Sequence, residues 1–179
     1  GYFSFLAVTL GVRTVIGFEP DPESCTVFRF NRDLNGWGED QVMLKQLALS
    51  DQSGRGIFKR ASDSGDSGFG QWPHRETVEE LTVDVVTLDD CCREPDASLP
   101  TVIKLDVEGW ELAVFRGARD LLKNQPPRLL IFESTCGSDG TICDSQISVL
   151  LEQYGYKVAR VERPSGVIKA TENYVARLT

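Results

Sequence analysis

Three stretches of this 179-residue chain place a carboxylate where an apolar strand gives out. Val15 to Phe18 runs into Glu19, Thr101 to Leu105 into Asp106, and Arg128 to Phe132 into Glu133. In open α/β sheets, ligands bind beyond the carboxyl ends of the strands, so acids at those ends are placed to meet one. A carboxylate is an acceptor with two oxygens, and Glu19 could take both hydroxyls of a ribose. It could equally cap the helix that Asp21-Pro22 is built to begin, and spacing alone does not choose.

Asp106 lies in Lys104-Leu105-Asp106-Val107-Glu108-Gly109-Trp110-Glu111. Acids in the first turn of a helix complement its dipole, which accounts for Glu108 or Glu111 better than for Asp106. The sole histidine, His74, stands beside Pro73 in a polar stretch that also carries Phe69 and Trp72. It serves as a general base if that stretch closes over a site, and is a solvated loop residue otherwise. No Ser-His-Asp set, HExxH pair, P-loop or complete GxGxxG turn is present. Cys91 and Cys92 are adjacent, and Cys136 and Cys143 are too widely spaced for a CxxC pair. The five cysteines therefore read as small hydrophobes or free thiols in a reducing compartment, and no metal site is expected.

The elements that must hold these residues follow from periodicity and punctuation. Tyr2 to Leu10 predicts a short buried helix stopped at Gly11, and Val12 to Phe18 a strand. A helix starts at Pro22 and ends before Asn35-Gly36, and Val42 to Leu49 reads as one strand. Ile57 to Arg60 and Leu81 to Leu88 form an excursion around residues 61–76, a Ser-, Gly- and Asp-rich mobile loop insertion. After the strand that delivers Asp106, one helix runs through Leu122, and Pro126-Pro127 stops the chain before the next strand. Ile142 to Tyr154 is the last helix. Tyr156 to Val161 and Tyr174 to Leu178 close the chain as an antiparallel hairpin around Pro164-Ser165-Gly166. The alternation predicts an α/β sandwich with a mostly parallel sheet.

Composition narrows the function classes. The chain is 41% hydrophobic and 26% charged, as expected of a single soluble, intracellular domain spanning 1–179. A net charge of −8 leaves little with which to neutralise phosphates, so no nucleic-acid partner is expected. No apolar run approaches the ~20 residues of a membrane span.

Together, Phe18-Glu19-Pro20-Asp21-Pro22, Asn31, Asn35-Gly36, Ala48-Leu49-Ser50-Asp51, Gly54 and Thr87-Leu88-Asp89 make an ordered series. Ile103 to Glu111, Gly117-Ala118, Phe132-Glu133, Gly155-Tyr156 and Asn173-Tyr174 continue it. The series resembles the FkbM family of S-adenosylmethionine-dependent methyltransferases over nearly the whole chain. The resemblance implies a class I methyltransferase-like (Rossmann-like) sheet with helices on both faces. It implies that Glu19, with Pro20 beside it, holds the ribose of S-adenosylmethionine, and that Leu47, Ala48 and Leu49 border the adenine. Asp106 would face the methionine end of the donor or the acceptor. Gly1 would be the last glycine of the family's glycine-rich loop, the first strand preceding it being absent from these 179 residues. That strand would lie between the strands ending at Glu19 and Asp106, so a preceding segment, or a subunit of a larger assembly, is expected to supply or cover it.

The activity so implied is methylation of a hydroxyl on a small molecule or sugar. Asp106 is the first choice of base, then Glu133 or His74. The alternative is a methyltransferase-like domain that no longer catalyses and serves as a scaffold. A nicotinamide-dependent oxidoreductase would need a GxGxxG turn and a substrate domain, and the closing hairpin fits it poorly.

Overall fold

The computed structural model describes residues 1–61, 67–69, 77–95, 97–163 and 168–179. His74, Trp72 and the Pro164-Ser165-Gly166 turn lie outside these residues, as does most of 61–76.

Asp21 and Pro22 begin a helix as their types require: the Asp21 carboxylate accepts the N–H of Glu23 at 3.1 Å and Pro22 takes the first helical position. This is α2 (Pro22–Leu34), preceded by α1 (Tyr2–Thr9) and β1 (Val15–Phe18). β2 (Val42–Lys45) lies parallel to β1. The single strand expected over Val42 to Leu49 is instead two. The chain turns at Leu47, whose N–H bonds to the Lys45 carbonyl at 2.9 Å, and β3 (Ala48–Leu49) joins a different sheet. There it runs parallel to β5 (Thr77–Val86), which also pairs antiparallel with β4 (Gly54–Ala61). α3 (Leu88–Arg93) follows, capped by the Thr87 hydroxyl.

β6 (Val102–Leu105) carries Asp106 just beyond its end. The long helix expected after it is broken into α4 (Glu111–Arg116) and α5 (Arg119–Asn124). At the break the Gly117 carbonyl accepts the Asp89 N–H at 2.9 Å in place of a helical donor, and the backbones of Gly117 and Ser50 touch there, since a Cβ on Gly117 would stand 2.0 Å from the Ser50 carbonyl oxygen. Asp89 then caps α5 from outside, accepting the N–H groups of Asp120 and Leu121 at 2.9 Å each. β7 (Leu129–Thr135), α6 (Ser145–Gln153), β8 (Tyr156–Arg160) and β9 (Thr171–Leu178) complete the chain. β9 inserts between β7 and β8, antiparallel to both, giving the order β6-β7-β9-β8. This pairing carries β7 past Glu133, which lies opposite Asn173 and so inside the strand, not at its end.

The result is a mixed α/β architecture, with parallel pairs β1-β2, β3-β5 and β6-β7 and antiparallel pairs in the excursion and the C-terminal hairpin. The main core lies where Leu105, Leu130, Phe132 and Tyr174 meet Val114, Phe115, Leu122 and Leu151. A smaller cluster of Val8, Phe28 and Val42 joins α1 and α2 to β1 and β2. Among the described residues, no helix is long and apolar enough to cross a membrane.

Candidate functional site

The turn from β6 into α4 holds the densest chemistry. Glu108 and Gly109 both adopt positive φ, 52° and 86°, and for Glu108 that region costs roughly 1 kcal/mol. Glu111, whose side chain is buried, steadies the turn from within: its Oε1 accepts the N–H groups of Val107 and Gly109 at 3.4 Å each. From outside, Phe69 packs at a tilt against Trp110 with ring centroids 5.6 Å apart, and Trp110 donates its indole N–H to Ser50 Oγ at 3.0 Å. Glu111 thus does the structural work that helix-start acids were expected to do, and Asp106 is left exposed at the rim.

The turn brings carboxylate oxygens of Asp106, Glu108 and Glu133 within 4.8 Å of one another. Glu133 is half-buried; burial and the nearby charges of Asp106 and Glu108 push its carboxyl above the usual 4.5. Lys104 reaches the same place from β6. Its Nζ lies 3.5 Å from Asp106 Oδ2, donates to the Leu105 carbonyl at 2.7 Å and sits 4.8 Å from the Phe3 ring centroid. Neither Lys104 nor Glu108 is among the site residues expected from the sequence, although a lysine inside an otherwise apolar strand needs partners at its tip.

Glu19 stands at the end of β1. Its Oε1 accepts the N–H of Asp21 at 2.9 Å, so it does contribute to the start of α2, as the capping alternative required. Among the described residues its second oxygen has no hydrogen-bond partner. Burial raises its pKa above the usual 4.5. Helix α1 lies beside both acidic sites: a Cβ on Gly17, two residues before Glu19, would stand 3.5 Å from Ser4 Oγ, and Phe3 covers the Lys104 that pairs with Asp106. No hydrogen bond or ion pair among the described residues joins Glu19 to Asp106 directly.

The remaining predicted positions are unequal. Pro20 is half-buried beside Glu19, and Leu47 is half-buried at the β2–β3 turn. Ala48 and Leu49 are buried in the core clusters, so only Leu47 of the three offers side-chain surface to a ligand. Cys25 and Cys91 are buried and pushed up to about 11, which keeps both thiols protonated at neutral pH. A groove of about 290 Å³ between α4 and α6, lined by Leu112, Arg116, Gln146 and Val149, contains none of the predicted site residues.

Residues 2–158 match the family described as the methyltransferase FkbM domain. Methyltransferase 1 of Beauveria bassiana (strain ARSEF 2860) is 27% identical over 171 residues, a match covering 84% of this chain and 65% of that protein. The 2-O-methyltransferase NoeI of Sinorhizobium fredii (strain NBRC 101917 / NGR234) is 29% identical over 119 residues, covering 59% of this chain and 47% of that one. The chain thus spans less than two thirds of the length of these relatives. The crystal structure of methyltransferase FkbM from Methylobacillus flagellatus KT superposes with a TM-score of 0.60 at 17% identity, over 97% of this chain and 40% of that one.

Proposed function

This chain belongs to the FkbM methyltransferase family, and from that premise we propose that the protein transfers a methyl group from S-adenosylmethionine to a hydroxyl oxygen of a small molecule or sugar. The observation that carries the reading is the pair of acidic sites beside α1, one at Glu19 and one at Asp106 and Glu133. That one relative is named a 2-O-methyltransferase supports oxygen as the accepting atom.

When bound, the donor supplies a sulfonium-activated methyl group, so the protein's task is chiefly alignment. Glu19 would hold the ribose hydroxyls through the oxygen that has no hydrogen-bond partner among the described residues, and the exposed part of Leu47 would border the adenine. Asp106 would take the proton of the acceptor hydroxyl while its oxygen receives the methyl group given up by the donor's sulfur. Glu133, and His74 outside the described residues, stay the alternative bases. The test is paired: Asp106→Asn should lower turnover by about 100-fold or more while S-adenosylhomocysteine affinity, read by calorimetry, changes little. Unchanged turnover rejects the base assignment.

A second component concerns the sheet. Val15 and Glu19 donate toward the β2 side, so the backbone groups of Ile16 and Phe18 point to the other edge of β1. By the same alternation, with Thr101 bonded to Arg128, Val102 and Lys104 point away from β7. Neither edge is paired among the described residues. Beside them, α1 leaves Tyr2, Phe3, Leu6 and Leu10 exposed. An extended segment, supplied by the same polypeptide or by a subunit of a larger assembly, fits between these edges. In these 179 residues alone the amides of Ile16, Phe18, Val102 and Lys104 should exchange rapidly. Slow exchange at all four would contradict the open edges. If such a segment restores the sheet without any donor binding, the scaffold reading wins.

A further inference from the structure

Arg60 makes no hydrogen bond or ion pair with Glu19, Asp106 or Glu133 among the described residues, yet it grips the residue that holds Glu19. We propose that Arg60 is a positioning residue for the donor's ribose: by binding Asp21 it fixes the turn that aims Glu19. This role rests on the methyl-transfer reading of the site.

Asp21 caps α2, and capping is local: its carboxylate accepts the N–H of Glu23 at 3.1 Å and the hydroxyl of Ser24 at 3.2 Å. A cap needs no cation from a distant strand. Asp21 has one nevertheless, since Arg60 of β4, 39 positions on, donates from Nη2 to Asp21 Oδ1 at 2.6 Å. Asp21 is only 5% exposed, so its charge is poorly hydrated and the guanidinium offsets that burial. The backbone N–H of the same residue donates to Glu19 Oε1 at 2.9 Å. Asp21 thus links Arg60 to Glu19, side chain on one hand and main chain on the other.

Arg60 is itself fixed on its far side. It faces Glu79 across the β4–β5 pair, and its Nη1 donates to Glu79 at 2.8 Å and to Glu23 at 3.1 Å. Its Nε is buried with no partner among the described residues, so the hold is made through the two terminal nitrogens. Glu23 and Glu79 are exposed, where ion pairs contribute little, and the buried contact with Asp21 is the one that matters. The tie also crosses between units. Glu19 closes the two-stranded sheet β1-β2 with its small cluster, whereas Arg60 belongs to the sheet β3-β5-β4. A lightly packed carboxylate turn is thereby anchored from outside its own unit. An ion pair that only steadied α2 would show no preference for ribose hydroxyls.

The experiment is calorimetric titration with S-adenosylhomocysteine and with its dideoxyribose analogue, which lacks the hydroxyls that Glu19 would hold. Arg60→Met should weaken S-adenosylhomocysteine binding about five-fold and leave the analogue's affinity unchanged. Arg60→Lys, which keeps a cation beside Asp21, should recover most of the loss. On a Glu19→Gln background, Arg60→Met should have no further effect. Equal weakening of both ligands overturns the proposal, as does S-adenosylhomocysteine affinity that Arg60→Met leaves unmoved. Should Arg60→Met fail to fold, Asp21→Asn decides, because it keeps the helix cap and drops the ion pair. A loss confined to the ligand with hydroxyls supports the proposal there, and no loss or an equal loss overturns it. A wild type that binds neither ligand overturns the methyl-donor reading as well; one that binds while Arg60 is indifferent overturns this inference alone.

Discussion

The two acidic sites rest on unequal foundations. Asp106 and Glu133 belong to the sheet β6-β7-β9-β8, whose core gathers 16 buried residues, whereas Glu19 closes a two-stranded unit with a cluster of three. The first site is therefore held rigid by packing: Phe132 lies edge-on to Phe115 and stacks on Tyr174, and Tyr156 reaches across to donate to the Pro127 carbonyl at 2.6 Å. The second depends on α1, α2 and one open edge. Local stability follows buried apolar contact, so the unit around Glu19 should open at lower free energy than the unit around Glu133. In this fold, the acid proposed to do the proton chemistry is preorganised, and the acid proposed to hold the ribose is the one whose setting is left to adjust.

Paired core truncations break or sharpen that contrast most strongly. Phe132→Ala should cost about 3–5 kcal/mol and unfold the chain as a whole. Phe28→Ala should raise exchange in β1 and β2 while leaving β7 and β9 protected. Equal loss of protection everywhere would mean that the two units fold as one. Next comes Gly117→Ala, which must push the Ser50 backbone away and should cost about 1–3 kcal/mol in a urea melt. Because this contact joins the β3 turn to the end of α4, retention of full stability would show that the observed approach is not tight. Asp89→Ala removes both N–H acceptors at the start of α5 and should cost about 1 kcal/mol.

The smallest expected effect is a pH dependence. Burial holds the Glu111 carboxyl above its usual 4.5, so its favourable contribution is complete below that pH and is lost as pH rises through the raised value. Glu111→Gln keeps an oxygen for the Val107 and Gly109 amides without the buried charge. It should raise Tm at pH 7 by about 2 °C, with the advantage shrinking below pH 4.5. An advantage that grows as pH falls would reverse the sign of the account.

Much of this was legible in the residues. Asp21-Pro22 announced α2 because capping chemistry is local, and the Lys104-to-Glu111 run announced an acid-bearing turn at a strand exit. What could not be read was long-range. The break between α4 and α5 comes with Asp89, 28 positions before Gly117 in the chain, which takes the hydrogen bonds the helix would have made, and helical periodicity carries no record of it. The division of Val42 to Leu49 arises because its two halves find partners in different sheets, and Glu133 slid inside β7 because β9 extends the pairing to Thr135. Glu111 looked like a dipole-complementing acid, yet its buried contact with the turn behind it depends on the left-handed pair Glu108-Gly109. The tip of Lys104 was invisible for the same reason, since Phe3 lies about a hundred residues away.

The central claim is that Glu19 and the Asp106 turn serve one nucleoside from two sides. Calorimetric titration of the protein with S-adenosylhomocysteine, repeated on Glu19→Gln and Asp106→Asn, tests it most directly. The account predicts measurable binding, weakened about ten-fold or more by Glu19→Gln, since a charged hydrogen-bond acceptor is lost, and little changed by Asp106→Asn. Binding that is indifferent to Glu19, or no binding at millimolar ligand, would contradict it.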